Sequence, residues 1–363
     1  MNTRTNLSRR AFCRTSCLSA LIGATAPWAA FARTPPNLER ALDMVSRYVV
    51  VDLHAHPGRL YSGGNPLPRL RDLAKAKVTA FGFSIPTDTP TLGKRGGLPQ
   101  PIRAPQPGEL FAFTTQHLTK LQRALKAADI SVLQTPRDVL DAKQVGRPGA
   151  LIALEGGDFL EGRLDRVAQA HALGVHSIQL VHFTPNALGT VRTQAPDGPA
   201  LTAFGRDVVI EQNRLGMIVD VTHMTRKGVE AVADASRAPV MLSHTGFEAH
   251  FMHGRGVHEE TALAVKATGG LVGLRPLGDL DGHKGLAAFA DEMLHLIEHV
   301  GIDHVALGTD MDGAKSPFKG YGAMTLFINE LFQRDLNEAD IAKVIGANFV
   351  RLFGDVISAA EKA

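Results

Sequence analysis

The sequence is short of cysteine. Its 363 residues contain two, Cys13 and Cys17, both inside an N-terminal stretch that reads as a removable leader. The mature chain is then left without a thiol for a disulfide or a thiolate metal ligand. Any bound metal must be held by histidine and carboxylate, and 15 histidines are available. No run of about 20 consecutive apolar residues is present, which argues against a membrane-spanning helix. An excess of either charge is missing too. The formal net charge of +3 comes from the leader: removing Arg4, Arg9, Arg10 and Arg14 takes Lys plus Arg from 39 to 35, against 36 Asp plus Glu. No nucleic-acid partner is expected from that balance. Neither an internal repeat nor a low-complexity linker divides the chain, and one barrel-sized domain of roughly 250 residues plus insertions would use nearly all of it.

The first 32 residues have the order of a secretory signal: a basic region without an acid, the apolar stretch Leu18 to Phe31, and an Ala-x-Ala site at Ala30-Phe31-Ala32. Within it, Ser8-Arg9-Arg10-Ala11-Phe12 resembles a twin-arginine export motif. The expectation is a signal peptide over residues 1–32, a folded domain over 33–363, passage through the twin-arginine machinery and a periplasmic location.

Eight short runs rich in Val, Ile, Leu and Phe recur along the rest of the chain: Tyr48 to His56, Val78 to Pro86, Ala150 to Gly157, His176 to Phe183, Met217 to Met224, Val240 to Phe247, Leu271 to Leu277 and His304 to Gly313. Stretches with helical apolar spacing separate them, the pattern of a parallel sheet with crossover helices. Eight such strands predict an α/β fold closed into a (β/α)8 TIM barrel with loop insertions over its C-terminal face. Thr87 to Gly108 is a Gly/Pro-rich insertion expected over the barrel mouth, followed by a helix from Glu109 to Ala128. Leu201 to Leu215 reads as a helix stopped by Gly216, and Tyr321 to Ala360 as two closing helices.

The polar residues inside these runs carry the chemistry. His54 and His56 end the first strand, Glu155 the third, His182 the fourth, His223 the fifth, His244 the sixth and Asp310 the eighth. Strand alternation predicts that His54 and His56 point into the barrel while Leu53 and Ala55 face the helices. Two inward imidazoles can grip a divalent ion, and Glu155 could bridge it to a second ion held by His223 and His244. Two metals would then activate a shared water as hydroxide to attack a carbonyl, with Asp310 taking its proton and returning it to a leaving amine. Taken singly, Glu155 reads equally as a helix-capping acid and Asp310 as a turn residue. Their coincidence with the histidines at one end of one barrel favours the metal site, because burying so many polar groups otherwise costs too much.

Several segments resemble the membrane dipeptidase (renal dipeptidase, peptidase M19) family of the amidohydrolase superfamily. They are Ala153-Leu154-Glu155-Gly156-Gly157, Leu201 to Arg206 running into Asn213 to His223, Ser243-His244, Gly301 to Gly313, and Asn348 to Phe353. The resemblance spans from about residue 50 to 354. It implies a dipeptidase with two divalent ions, zinc in this family, with Glu155 bridging them, His223 and His244 on the second, and Asp310 as proton shuttle. It further implies that His182 contacts the scissile carbonyl and that Arg255 pairs with the substrate's terminal carboxylate, a task suited to the guanidinium fork.

Three departures stand out. The family usually has His-x-Asp on the first strand, where this chain has His54-Ala55-His56; Gly256 replaces the asparagine usual after the loop arginine; and the seventh strand runs into Arg275-Pro276 without the tyrosine some members use on substrate. They keep open a second activity at the same site, on another small amide, a lactam, a lactone or an N-acyl amino acid. A non-catalytic metal- or peptide-binding periplasmic protein is the reading from another class. The sequence leaves a homodimer open.

Overall fold

A sheet whose strands are buried along their whole length needs cover on both faces. The computed structural model describes residues 35–95, 98–194, 198–247, 256–276 and 285–362, and eight of its strands have this character. These are β1 (Val51–Ala55) and β2 (Ala80–Pro86), then, after the hairpin β3 (Leu92–Arg95) and β4 (Leu98–Pro101) and the short β5 (Ser131–Val132), β6 (Gly149–Glu155), β7 (Val175–Gln179), β8 (Ile218–Asp220) and β9 (Met241–Phe247). After the short β10 (Gly256–Val257) come β11 (Leu271–Leu274) and β12 (Val305–Leu307).

All eight run parallel in the order β1-β2-β6-β7-β8-β9-β11-β12. The two ends meet just beyond β12. Ala55 bridges Met311, the His56 amide donates to Met311 O at 2.8 Å, and the Asp310 amide donates to His54 O at 2.9 Å. The sheet is thus a (β/α)8 barrel, and the bonds that close it pass through three of the expected site residues. Helices follow most strands. Helix Ala203–Arg214 starts where the Thr202 hydroxyl accepts from Gly205 N and stops before Gly216, whose φ is +67°.

Inside the barrel floor, Val51, Leu53, Ala80, Leu151, Ile218, Met241, Leu271 and Ala306 pack with Phe349, Leu352, Phe353 and Val356 of the C-terminal helix Asn348–Glu361. Leu53 therefore faces inward, against the expectation from alternation. The reason is a register shift in β1 between Asp52 and Ala55. Such an irregularity re-aims side chains, so Leu53 fills the floor while His54 and His56 both still reach the mouth. A second shift, between Val272 and Leu274 of β11 opposite Leu242 and Thr245 of β9, lies beside His244.

Other expectations need adjustment. β7, β8 and β12 end three residues before His182, His223 and Asp310, which come from the loops that follow. The insertion after β2 carries the β3–β4 hairpin, and its helix, Glu109–Ala127, is anchored at its start by the Glu161 carboxylate accepting from Gly108 N and Leu110 N at 3.0 and 3.1 Å. The two closing helices are three: Ala323–Phe332, Glu338–Ala342 and, through a π turn, Asn348–Glu361. No helix among the described residues is long and apolar enough to cross a membrane. The expected leader, residues 1–32, and Arg255 lie outside the described residues.

Candidate metal centre

The Glu155 carboxylate ends β6 at the barrel mouth, and five imidazoles turn Nε2 toward it. His223 lies 3.3 Å, His182 3.4 Å, His54 3.6 Å and His244 3.7 Å from Oε1, while His56 lies 3.4 Å from Oε2. All six side chains are buried. Two groups of donors result, His54 with His56 and Glu155, and Glu155 with His223 and His244, each with all its ligand atoms within 4.8 Å of one another. Glu155 belongs to both, so the bridging position expected for it is geometrically available.

The donor set fits divalent ions. His54 Nε2 and His56 Nε2 are 3.1 Å apart, close to the roughly 3.3 to 3.4 Å that two nitrogens at about 2.0–2.1 Å from one tetrahedral ion would span. Glu155 Oε2 is buried and accepts no hydrogen bond, a costly arrangement for a carboxylate unless a cation supplies the missing partner. Burial pushes His54 down to about 4 and, with His54 alongside, holds His244 well below its usual range. Burial opposes the charge on Glu155 and Asp310 as well, yet the surrounding His182 and His54, and His56, His244 and Arg275 respectively, hold both well below the usual carboxylate range.

The far side of four of the rings is tethered, which sets the tautomer. His56 Nδ1–H donates to Ser84 O at 3.0 Å, and since a carbonyl only accepts, the Nε2 lone pair is left for the centre. Ser243 Oγ lies 3.1 Å from His244 Nδ1 and 3.5 Å from His54 Nδ1. It also meets Thr222 Oγ1 at 3.2 Å, and the Thr222 hydroxyl donates to Asp220 Oδ1 at 2.6 Å. One hydroxyl chain thereby ties a ligand of each donor group to a buried acid. Asp88 Oδ1 lies 2.8 Å from His182 Nδ1, while its Oδ2 accepts from Phe183 N at 3.2 Å.

Backbone geometry marks the same residues. His223 and Asp310 have φ of +68° and +51°, a left-handed conformation that costs a non-glycine residue energy and tends to persist at functional sites. Gly313 must be glycine here, because a Cβ would fall 1.9 Å from Asp310 Oδ1 and 2.5 Å from His56 Cδ2.

The expected His54, His56, Glu155, His182, His223, His244 and Asp310 all meet at this mouth; Arg255 falls outside the described residues. Three neighbours were missed as site residues: Ser243, Asp88 and Arg275. Arg275 follows β11 directly, is 3% exposed, and donates from Nη1 to Asp310 Oδ2 at 2.9 Å. A charged residue directly after an apolar strand, at the mouth end, was the available signal. Asp88 had none, since its partner lies 94 positions away.

Comparison with known proteins places the chain in a family. The chain is 29% identical over 261 residues to dipeptidase tcpJ of Claviceps purpurea, covering 69% of this chain and 61% of that one. It is 33% identical over 223 residues to dipeptidase aclJ of Aspergillus oryzae, covering 58% and 52%. It thus spans between half and two thirds of the length of these curated relatives. A metallopeptidase from Rhodobacter sphaeroides, solved with a phosphinate mimic of the dipeptide L-Ala-D-Ala, shares the fold with a TM-score of 0.72 at 24% identity, over 85% of this chain and 99% of that one. The model of the membrane dipeptidase family, peptidase family M19, matches residues 68–363. That match starts after His54 and His56, so the departure at His56 stands outside it, but its extent over the barrel is sufficient: the chain belongs to the membrane dipeptidase family of metallopeptidases.

Proposed function

We propose that this protein is an exported, metal-dependent dipeptidase. One observation carries the reading: two buried donor groups share Glu155, and an ionised Asp310 stands 3.4 Å from His56 Nε2 beside them. His54, His56, Glu155, His223 and His244 would hold two divalent ions, zinc by family resemblance. Such ions supply Lewis acidity and bring the pKa of water toward neutrality.

The remaining work falls to the chain itself. His182, whose Nδ1–H donates to Asp88, presents Nε2 to the centre, where the protonated ring donates to the negative charge that develops on the carbonyl oxygen. Asp310 accepts a proton at the mouth and returns it to the departing amine. Arg255 is assigned the substrate's free carboxylate by the family resemblance. Residues 1–32 act as a twin-arginine signal that leaves the 33–363 domain in the periplasm; N-terminal sequencing of the protein recovered from that compartment should begin at Arg33.

Protein loaded with zinc should hydrolyse dipeptides, including some with a C-terminal D residue, as the ligand of the Rhodobacter structure prompts. It should ignore the same dipeptides amidated at the C-terminus. Absence of dipeptide hydrolysis with any of zinc, manganese or cobalt would overturn the reading. His56 and Arg275 favour a second one, hydrolysis of another small amide, lactam or lactone at this centre, because both change the charge facing the substrate.

A further inference from the structure

Beside His223 and His244 lies a narrow cleft of about 10 Å³, room for a water-sized group such as a carboxylate oxygen, whose other walls are Arg192, Arg275 and the hydroxyl-bearing Thr193, Thr222 and Thr245. Among the described residues no carboxylate lines it. We infer that this cavity is a subsite for a carboxylate on the substrate's side chain, so that dipeptides containing an acidic residue are preferred. The inference rests on the dipeptidase reading and adds the substrate class to it.

The state of Arg275 is the main reason. Its Nη1 is taken by Asp310, but Nε, buried in the same wall, has no acceptor. Nε–H belongs to the other edge of the fork, the edge with which a guanidinium meets a second carboxylate in two parallel hydrogen bonds. A fork held this way can serve Asp310 and an incoming anion together, which a lysine's single ammonium does less well. Arg192 brings a second positive group to the opposite wall, where Nη1 donates to Gly256 O at 2.6 Å and Nε to Met224 O at 3.3 Å. Carbonyl partners of this kind fix the guanidinium against the cavity.

The charge around the centre points the same way. Of the side chains that face the two donor groups, Glu155 and Asp310 are the anions, and Arg275 offsets one of them. The ion-binding histidines contribute no negative charge. A substrate that brings its own extra carboxylate therefore meets an attractive field on the His223 and His244 side.

The test compares Ala-Glu and Glu-Ala with Ala-Gln and Gln-Ala, all with free C-termini, so that only the side-chain charge differs. Zinc-loaded protein should show kcat/KM at least about tenfold higher for the acidic member of a pair, the discrimination a charge-assisted hydrogen bond commonly gives. In Arg275→Met the acidic-to-neutral ratio should fall toward one, whatever happens to the overall rate, and Arg275→Lys should fall between. Because Arg275 also touches Asp310, a second measurement avoids variants: glutarate should inhibit hydrolysis of a neutral dipeptide at least about tenfold more strongly than pentanoate. Equal rates for acidic and neutral pairs, equal inhibition, or an acidic preference that survives in Arg275→Met would each overturn the subsite while leaving the dipeptidase reading intact. A protein that cleaves no dipeptide overturns that reading instead.

Discussion

Arg275 Nη1 donates to Asp310 Oδ2 at 2.9 Å, while Asp310 Oδ1 stands 3.4 Å from His56 Nε2. Asp310 is thus clamped between a fixed cation and a ring that faces the donor groups. With Oδ2 held by Arg275 the carboxylate has one orientation, and its lowered pKa keeps it ionised.

Asp310→Asn keeps the shape and the hydrogen bond from Arg275 but removes the basic oxygen. Hydrolysis should fall about 10²- to 10⁴-fold, with the metal content unchanged. Steady-state kinetics paired with elemental analysis checks both. Loss of an ion together with activity would make Asp310 a ligand rather than a proton carrier.

His56 belongs to one of the two candidate donor groups, with its Nδ1 tied to Ser84 O. His56→Ala should therefore empty one donor group and spare the other, leaving roughly one ion per chain where the parent holds about two. Elemental analysis after dialysis against buffered zinc reads this directly. Unchanged stoichiometry would remove His56 from the set.

Ser243 touches a ligand of each group through Nδ1 of His54 and His244. In Ser243→Ala both rings lose the acceptor that fixes their tautomer, and zinc affinity should drop about 10- to 100-fold. Competition against a chromophoric chelator gives the constant, and far-UV circular dichroism checks that the fold is kept.

Burial, and then the neighbouring Asp88, push Asp158 up to about 8. In the unfolded chain it titrates near 4. Between those values the folded state binds the extra proton, so the stability this group contributes is complete below about pH 4 and is lost as pH rises through about 8. Asp158→Asn stays neutral and can still accept from Asn186 Nδ2, the bond made at 3.2 Å in the parent. The parent's unfolding free energy should decline from pH 5 to 8 by up to about 1.4 kcal/mol per unit more than the variant's. Parallel denaturation curves across that range would contradict the assignment.

Much of the barrel and its mouth is local information. An apolar run of strand length, a polar residue at its downstream end and a helix-spaced interval are all visible within some 30 neighbouring residues. The eight strands, and the gathering of His54, His56, Glu155, His182, His223, His244 and Asp310 at one end, follow from that repetition. Tertiary structure decided the rest, because the deciding contacts join residues far apart in the chain. The register shift in β1 that sends Leu53 to the floor and both histidines to the mouth depends on its pairing with β2. Ser243 reaches His54 across 189 positions, Asp88 reaches His182 across 94, and Arg275 reaches Asp310 across 35. The sequence by itself determined that His54, His56, Glu155, His182, His223, His244 and Asp310 would share the mouth. Only the closure of the barrel decided how those side chains are oriented, which tautomers they hold, and that Arg275 stands against Asp310, since each depends on a partner brought in by the fold.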